Sequence, residues 1–234
     1  MPHIKFVLPT APTQPVTMNM GMPMPSWYDI TGLDERANEN CNGIEESQNK
    51  IKDILRKEHE DLGLNYDRMV LAGFSQGAAL SLFTGMQLDE KIGGVVLMSG
   101  YLPAAKTKFR LNDANKDTPV LHCHGDSDPI VRLENGEKSQ AWLTQSGASN
   151  YKLKVYPGLV HSVNPEEIQD VKEFVESILP VDNDFRVKLK DPSEMSIKEL
   201  KATIRKAGLG SKAVGMMEKS EFVKLVKDYR NGEL

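Results

Sequence analysis

Cysteine is nearly absent: Cys41 and Cys123 are the only two in 234 residues. So few argue against a disulfide framework and fit a reducing, cytoplasmic compartment. Long apolar runs are missing too. No stretch approaches the roughly 20 residues that span a bilayer, and the opening MPHIKFVLP has no apolar core of a secretory signal. The closing NGEL is neither an ER-retention signal nor a prenylation box. Positive charge is not in excess. A net charge of -4 and a pI near 5.8 remove any global bias toward nucleic acid or anionic membrane. What remains is an ordinary globular composition, 39% hydrophobic, long enough for one sizeable domain and a small appendage.

The chain is organised around Arg68 to Met86, RMVLAGFSQGAALSLFTGM. Met69 to Ala72 reads as a short buried strand, and Ala78 onward has the Ala/Leu content of a helix. Between them Gly73-Phe74-Ser75-Gln76-Gly77 is a G-x-S-x-G. A strand that becomes a helix within one residue forces that residue into a strained conformation, with glycines on either side to relieve crowding. Ser75 is thereby predicted as a nucleophile held above the sheet, with the Gln76 backbone N–H as an oxyanion donor at the helix start.

Elsewhere strands alternate with helices, which implies a mostly parallel sheet covered on both faces. His3 to Leu8 reads as a buried strand, and Pro9 to Pro25, without helical or alternating period, as a long ordered loop. Met18, Met20, Met22 and Met24 occupy every second position of that loop. An adaptable apolar surface is the better reading than a thioether metal site, because no His or Cys lies nearby; no metal and no cofactor is expected. Trp27 and Tyr28 close the loop, either as a pocket wall or, for Trp27, as core. Ile44 to Leu62 is an amphipathic helix with His59 on its solvated face. Gly94 to Ser99, Pro119 to His124 and Lys152 to Tyr156 are further strands, Trp142 lies on a helix, and Pro165 to Leu179 is an amphipathic helix that starts with acids.

A serine hydroxyl needs a base, and the base needs a carboxylate to orient it. His122, His124 and His161 follow Ser75. The first two lie in or at the end of a strand, whereas His161 sits in GLVHSV directly after one, and is the better base. Asp126 and Asp128 in HGDSDPIV compete for the acid. Asp128, deeper in the loop and before Pro129, is favoured, while Asp126 is expected to cap the local turn.

VLAGFSQGAALSL, VLHCHGDSDPIV, YPGLVHSV and APTQPVTMNMGMPMPSWYDI together resemble the acyl-protein thioesterases and lysophospholipase-like carboxylesterases of the α/β-hydrolase fold, over about Met1 to Leu179. The resemblance implies Ser75 as nucleophile, His161 as base, Asp128 as its orienter and Gln76 N–H as oxyanion donor. It also implies that Trp27 and the methionine loop lie near an acyl channel; Met24 and Ile130 are taken with Trp27 as substrate-binding residues. The implied substrates are S-acylated proteins, lysophospholipids or smaller esters, met in transient contact with a membrane surface. Chains of this family open with a strand and a Leu-His-Gly-Leu-Gly type motif ahead of the segment that here reads HIKFVLP. That strand is expected inside the sheet, its loop supplying a second oxyanion donor, so this chain is expected to form an N-terminally incomplete sheet with turnover lowered at least about a hundredfold.

Domain boundaries are expected at 1–180 for the hydrolase, 181–192 for a polar linker, and 193–234 for a small helical module. In the last, Ser196 to Glu199 forms a capping box, Leu200 and Ile204 continue an apolar face, and a second helix starts at Ser220. Two short helices with a Gly-containing extended link weakly resemble a SAP-type module, which implies a protein or nucleic-acid partner. A helical cap on the hydrolase surface is an equal alternative, and a binding protein built on an inactive hydrolase is the alternative to the enzyme.

Overall fold

The computed structural model describes residues 3–32, 37–181 and 190–231, and the chain divides into two compact units, 1–182 and 183–234. The first unit opens on a small hairpin, β1 (Thr13–Pro15) paired antiparallel with β2 (Pro23–Pro25). There follow α1 (Ile44–Leu62), β3 (Val70–Phe74), α2 (Gln76–Gly85), β4 (Gly94–Met98), β5 (Val120–Gly125), α3 (Leu133–Gln145), β6 (Tyr151–Tyr156) and α4 (Pro165–Ile178). Strands β3 to β6 form one parallel sheet in sequence order, with Phe74 beside Met98, Met98 beside Cys123 and Cys123 beside Lys154. Their carboxyl ends therefore align, and the loops that leave them meet along one edge.

The period of two sorts the strand residues onto the two faces. Val95, Leu97 and Val120 join α1, α2 and α3 in the larger core, while Val96, Leu121, Cys123 and Tyr156 pack against Val171, Phe174 and Ile178 of α4. On α1 the buried Ile44, Ser47, Gln48, Ile51 and Leu55 make one stripe. α2 differs: every residue from Ala78 to Gly85 is buried, because it lies between the sheet and α1. In the second unit α5 (Ile197–Lys206) and α6 (Lys219–Arg230) close over Met195, Leu200, Ile204, Phe222, Leu225 and Val226. The Ser196–Glu199 capping box is present in both directions.

Four expectations need correction. His3 to Leu8 makes no strand and is not buried: Phe6 is 65% and Leu8 87% exposed, and the segment is tied instead by Lys5 to Glu58 and by the His3 ring to Leu179 O. A run of β-forming residues becomes a strand only where a neighbour completes its ladder, and among the described residues none does. Correspondingly β3 is an edge strand, with Ala72 and Phe74 exposed, rather than a buried inner one. The methionine loop, ordered as expected, also contains strand pairing that its lack of period did not suggest: it folds in part as a hairpin, its Gln14 opposite Met24. Finally, α6 is capped by Glu218 with Glu221 and begins at Lys219, one residue ahead of Ser220, and the link before it includes a 3-10 turn at Gly210–Ala213.

One carboxyl in this frame is anomalous. Asn164 caps α4 by accepting the Glu167 N–H, which draws the Glu167 side chain inward, where it is fully buried and neither carboxyl oxygen has a hydrogen-bond partner among the described residues. Burial, aided by the negative charge of Asp170, pushes its pKa from 4.5 to about 7. Between those values the folded chain holds a proton that the unfolded chain has released, so stability falls as pH rises through the window and the loss is complete above it. Glu167→Gln, neutral at every pH, is expected to raise the melting temperature at pH 8 and leave it nearly unchanged at pH 4.5. Melting curves that differ by the same amount at both pH values would refute this origin of the pH dependence.

Candidate active site

At the end of β3 the chain reverses into α2 through Ser75, whose φ of 53° and ψ of -119° lie in a region L-residues rarely adopt. The turn is that tight because strand and helix touch: a Cβ on Gly73 would stand 2.2 Å from the Gly77 carbonyl carbon. Gly73 is therefore obligatory. Gly77 is not crowded in this way, since a Cβ there would meet nothing within 4 Å among the described residues. The expectation that both glycines relieve crowding holds only for the first.

The strained turn points the Ser75 hydroxyl at the loop after β6. There His161 Nε2 lies 3.0 Å from Ser75 Oγ, and His161 Nδ1 lies 2.7 Å from Asp128 Oδ2 in the loop after β5. The other carboxylate oxygen, Oδ1, accepts the Ile130 and Val131 N–H groups, both at 2.9 Å. Burial alone would raise the Asp128 pKa, but the His161 bond and these two N–H groups outweigh it and hold the carboxyl below its usual range. Asp126, by contrast, is exposed and accepts the Gly158 N–H at 2.7 Å, so it fastens the β5 loop to the β6 loop instead of reaching His161. Ser75, His161 and Asp128 are thus brought into one hydrogen-bonded line, an arrangement that can move a proton from hydroxyl to imidazole while a carboxylate steadies the resulting charge.

Gln76 opens α2, where the first N–H groups have no acceptor inside the helix. Its side chain does something sequence reasoning missed. The Gln76 amide accepts from Trp27 N–H at 2.9 Å and donates to Tyr28 O at 2.9 Å and Ser26 Oγ at 2.9 Å. The segment after the hairpin is therefore bracketed to the turn that carries Ser75. Trp27 is partly buried and packs on the larger core, while Met24 is 41% and Ile130 47% exposed. Phe74, also unforeseen, tilts against the His161 ring with centroids 4.8 Å apart. With Ile130, Val160 and Val163, it leaves exposed apolar side chains beside Asp128, His161 and Ser75 in the chain.

The described residues include no group of three or more His, Cys, Asp or Glu placed to hold a metal ion, and no helix among them is long and apolar enough to cross a membrane.

Comparison with other proteins bears on the whole first unit. Residues 1–179 match the family described as Phospholipase/Carboxylesterase. Over 179 residues the chain is 44% identical to the acyl-protein thioesterase 1 homolog 1 of Dictyostelium discoideum, which covers 76% of this chain and 78% of that protein. The acyl-protein thioesterase 1 of Mycosarcoma maydis is 40% identical over 190 residues, covering 76% and 79%. Among solved structures, SOBER1 of Arabidopsis thaliana is similar with a TM-score of 0.65 at 28% identity, over 74% of this chain and 83% of that one.

Proposed function

Since the chain belongs to the phospholipase/carboxylesterase family of α/β-hydrolases, we propose that its hydrolysis of acyl esters and thioesters runs through Ser75, His161 and Asp128. The observation that carries this reading is the continuous line from Asp128 through His161 to Ser75, at 2.7 and 3.0 Å, at a strained strand-to-helix turn. His161 Nε2 takes the hydroxyl proton as Ser75 Oγ attacks the acyl carbonyl. The negative charge on the former carbonyl oxygen is met by the Gln76 N–H at the start of α2. Collapse expels the thiol or alcohol, which receives the proton from His161, and leaves the acyl group on Ser75. Water then attacks that ester, giving its proton to His161, and the acid departs as Ser75 is reprotonated.

The substrates proposed are S-acylated proteins and lysophospholipids. Acyl-protein thioesterases at 44% and 40% identity support the first class, and the family description supports the second. The exposed apolar side chains of Phe74, Ile130, Val160 and Val163, neighbours in the chain of Ser75, Asp128 and His161, suit an acyl chain. Trp27, held by Gln76, and Met24 on the hairpin extend that surface in this reading. Cys41 and Cys123 are both buried and neither is in a disulfide, which accords with a reducing cytoplasmic location.

A fluorophosphonate is expected to label Ser75, with all labelling lost in Ser75→Ala; persistent labelling of the variant would sink the assignment. Asp128→Asn should cost orders of magnitude in kcat, whereas Asp126→Asn should lower stability with little effect on kcat, and the reverse ranking would show Asp126 to be the acid. Along a series of thioesters, kcat/KM should rise with acyl length up to a limit, each buried methylene contributing up to about 0.8 kcal/mol. A flat series would remove the apolar surface from the mechanism.

A second reading concerns the C-terminal unit, for which we propose an anionic macromolecular partner, protein or nucleic acid. Residues 183–234 carry 12 Lys and Arg against 8 Asp and Glu, while residues 1–182 carry 17 against 25. Lys224 and Lys227 lie on α6 beside its buried face. Binding to duplex DNA or an acidic protein that weakens with salt, and weakens further in the double variant Lys224→Glu and Lys227→Glu, is the expected result. Unchanged behaviour in that variant would discard the reading.

A further inference from the structure

Two histidines that the mechanism does not use, His122 and His124, are fully buried on the α3 face of β5. Four ring nitrogens without water would be costly, yet every one has a partner. Tyr151 Oη lies 2.7 Å from His122 Nδ1, His122 Nε2 lies 3.1 Å from His124 Nδ1, and His124 Nε2 lies 2.7 Å from Val131 O. A peptide carbonyl can only accept. His124 Nε2 therefore carries the proton given to Val131 O, its Nδ1 accepts from His122 Nε2–H, and His122 Nδ1 accepts from the Tyr151 hydroxyl.

The chain of donors thus runs one way, from β6 through β5 into the loop that holds Asp128. It ends on Val131, whose own N–H donates to Asp128 Oδ1. One residue is clamped at both its carbonyl and its amide. Helix α3 approaches closely enough to seal the pair, because Gly136 has no side chain: a Cβ there would stand 2.9 Å from His122 Cε1 and 3.1 Å from His124 Nδ1. Burial lowers the pKa of both rings, that of His122 to about 3. The fixed tautomers are thereby kept neutral.

We infer that Tyr151, His122 and His124 are positioning residues for hydrolysis, holding the Val131 peptide so that Asp128 stays aligned with His161. His124 is not itself a ligand of the carboxylate, since its Nε2 is 3.7 Å from Asp128 Oδ2 and its proton is committed to Val131. Among the described residues the charged groups that act on the His124 ring are Asp128 and His161 from the two loops, while the Gly100 backbone acts on His122, Tyr151 is the outer end of the relay, and α3 contributes Gly136. This inference rests on the Ser75, His161 and Asp128 reading above, and the experiment separates the two.

Hydrolysis of a short-chain p-nitrophenyl ester and fluorophosphonate labelling are to be measured in the full chain and in His124→Phe, His124→Gln and Tyr151→Phe. His124→Phe is expected to lower kcat and the labelling rate by about tenfold or more with KM unchanged. The downfield proton resonance of the His161–Asp128 bond should broaden or vanish with it. His124→Gln, whose amide can donate to Val131 O, should recover most of the rate. Tyr151→Phe removes one hydroxyl, keeps the packing, and is expected to lower kcat by about three- to tenfold, which tests the relay even where His124→Phe fails to fold. Folded variants with unchanged kcat and an unchanged downfield resonance would overturn the relay while Ser75 labelling stands. An absence of Ser75 labelling in the parent chain would overturn both.

Discussion

The contact between Gly73 and the first turn of α2 is the constraint on which the rest of the site depends. Because a Cβ on Gly73 would stand 2.2 Å from the Gly77 carbonyl carbon, no other residue lets the strand and helix meet, and the meeting forces Ser75 to a positive φ. Such a conformation costs on the order of 1–3 kcal/mol. It persists because both flanks are held by stronger interactions. Ser75 N–H is bonded to Met98 O at 2.9 Å and Ser75 O to Ala79 N–H at 3.0 Å, while Leu80, Leu82 and Phe83 of α2 are almost wholly buried. Each of those side chains is worth roughly 1.5–3 kcal/mol on burial, so relaxing the serine by moving the helix would lose more than it gains.

A second constraint is the treatment of carboxyl groups away from water. Asp128 and Glu167 are both nearly or fully buried, 5% and 0% exposed, and their pKa values move in opposite directions. Asp128 meets two backbone N–H groups and an imidazole, and remains a carboxylate. Glu167 meets no donor among the described residues, and holding a proton is the least costly way to remove the charge. The difference lies in the backbone. The residues after Asp128 turn their amides inward onto its oxygen, whereas the Glu167 amide is taken by Asn164.

Features set by local chemistry were legible in the sequence. The turn at Ser75, the strands after it and the loops that carry Asp128 and His161 all come from short patterns, and the geometry brings Ser75, His161 and Asp128 into hydrogen-bond contact. What was not legible depends on residues distant in the chain. The Gln76 amide reaches Trp27 and Tyr28 some 50 positions earlier, and His122 finds Tyr151 across 29 positions. Neither pairing leaves a local trace. HIKFVLP failed for a related reason: its pattern is that of a strand, but a strand also needs a neighbour, and pattern does not supply one.

β3 likewise lacks a neighbour on one side among the described residues. Parallel pairing turns the amides of Leu71, Gly73 and Ser75 toward β4, so Val70, Ala72 and Phe74 direct theirs to the other side, where no described strand meets them. An unpaired edge of this kind exposes polar backbone and leaves Phe74 38% accessible. The hydrogen-bonded line nonetheless avoids that edge. Ser75 follows β3, Asp128 follows β5 and His161 follows β6, and these strands belong to one unbroken ladder through β4. Alignment of serine, imidazole and carboxylate therefore rests on the paired side of the sheet, and Phe74, at the end of β3, adds a ring that leans on His161.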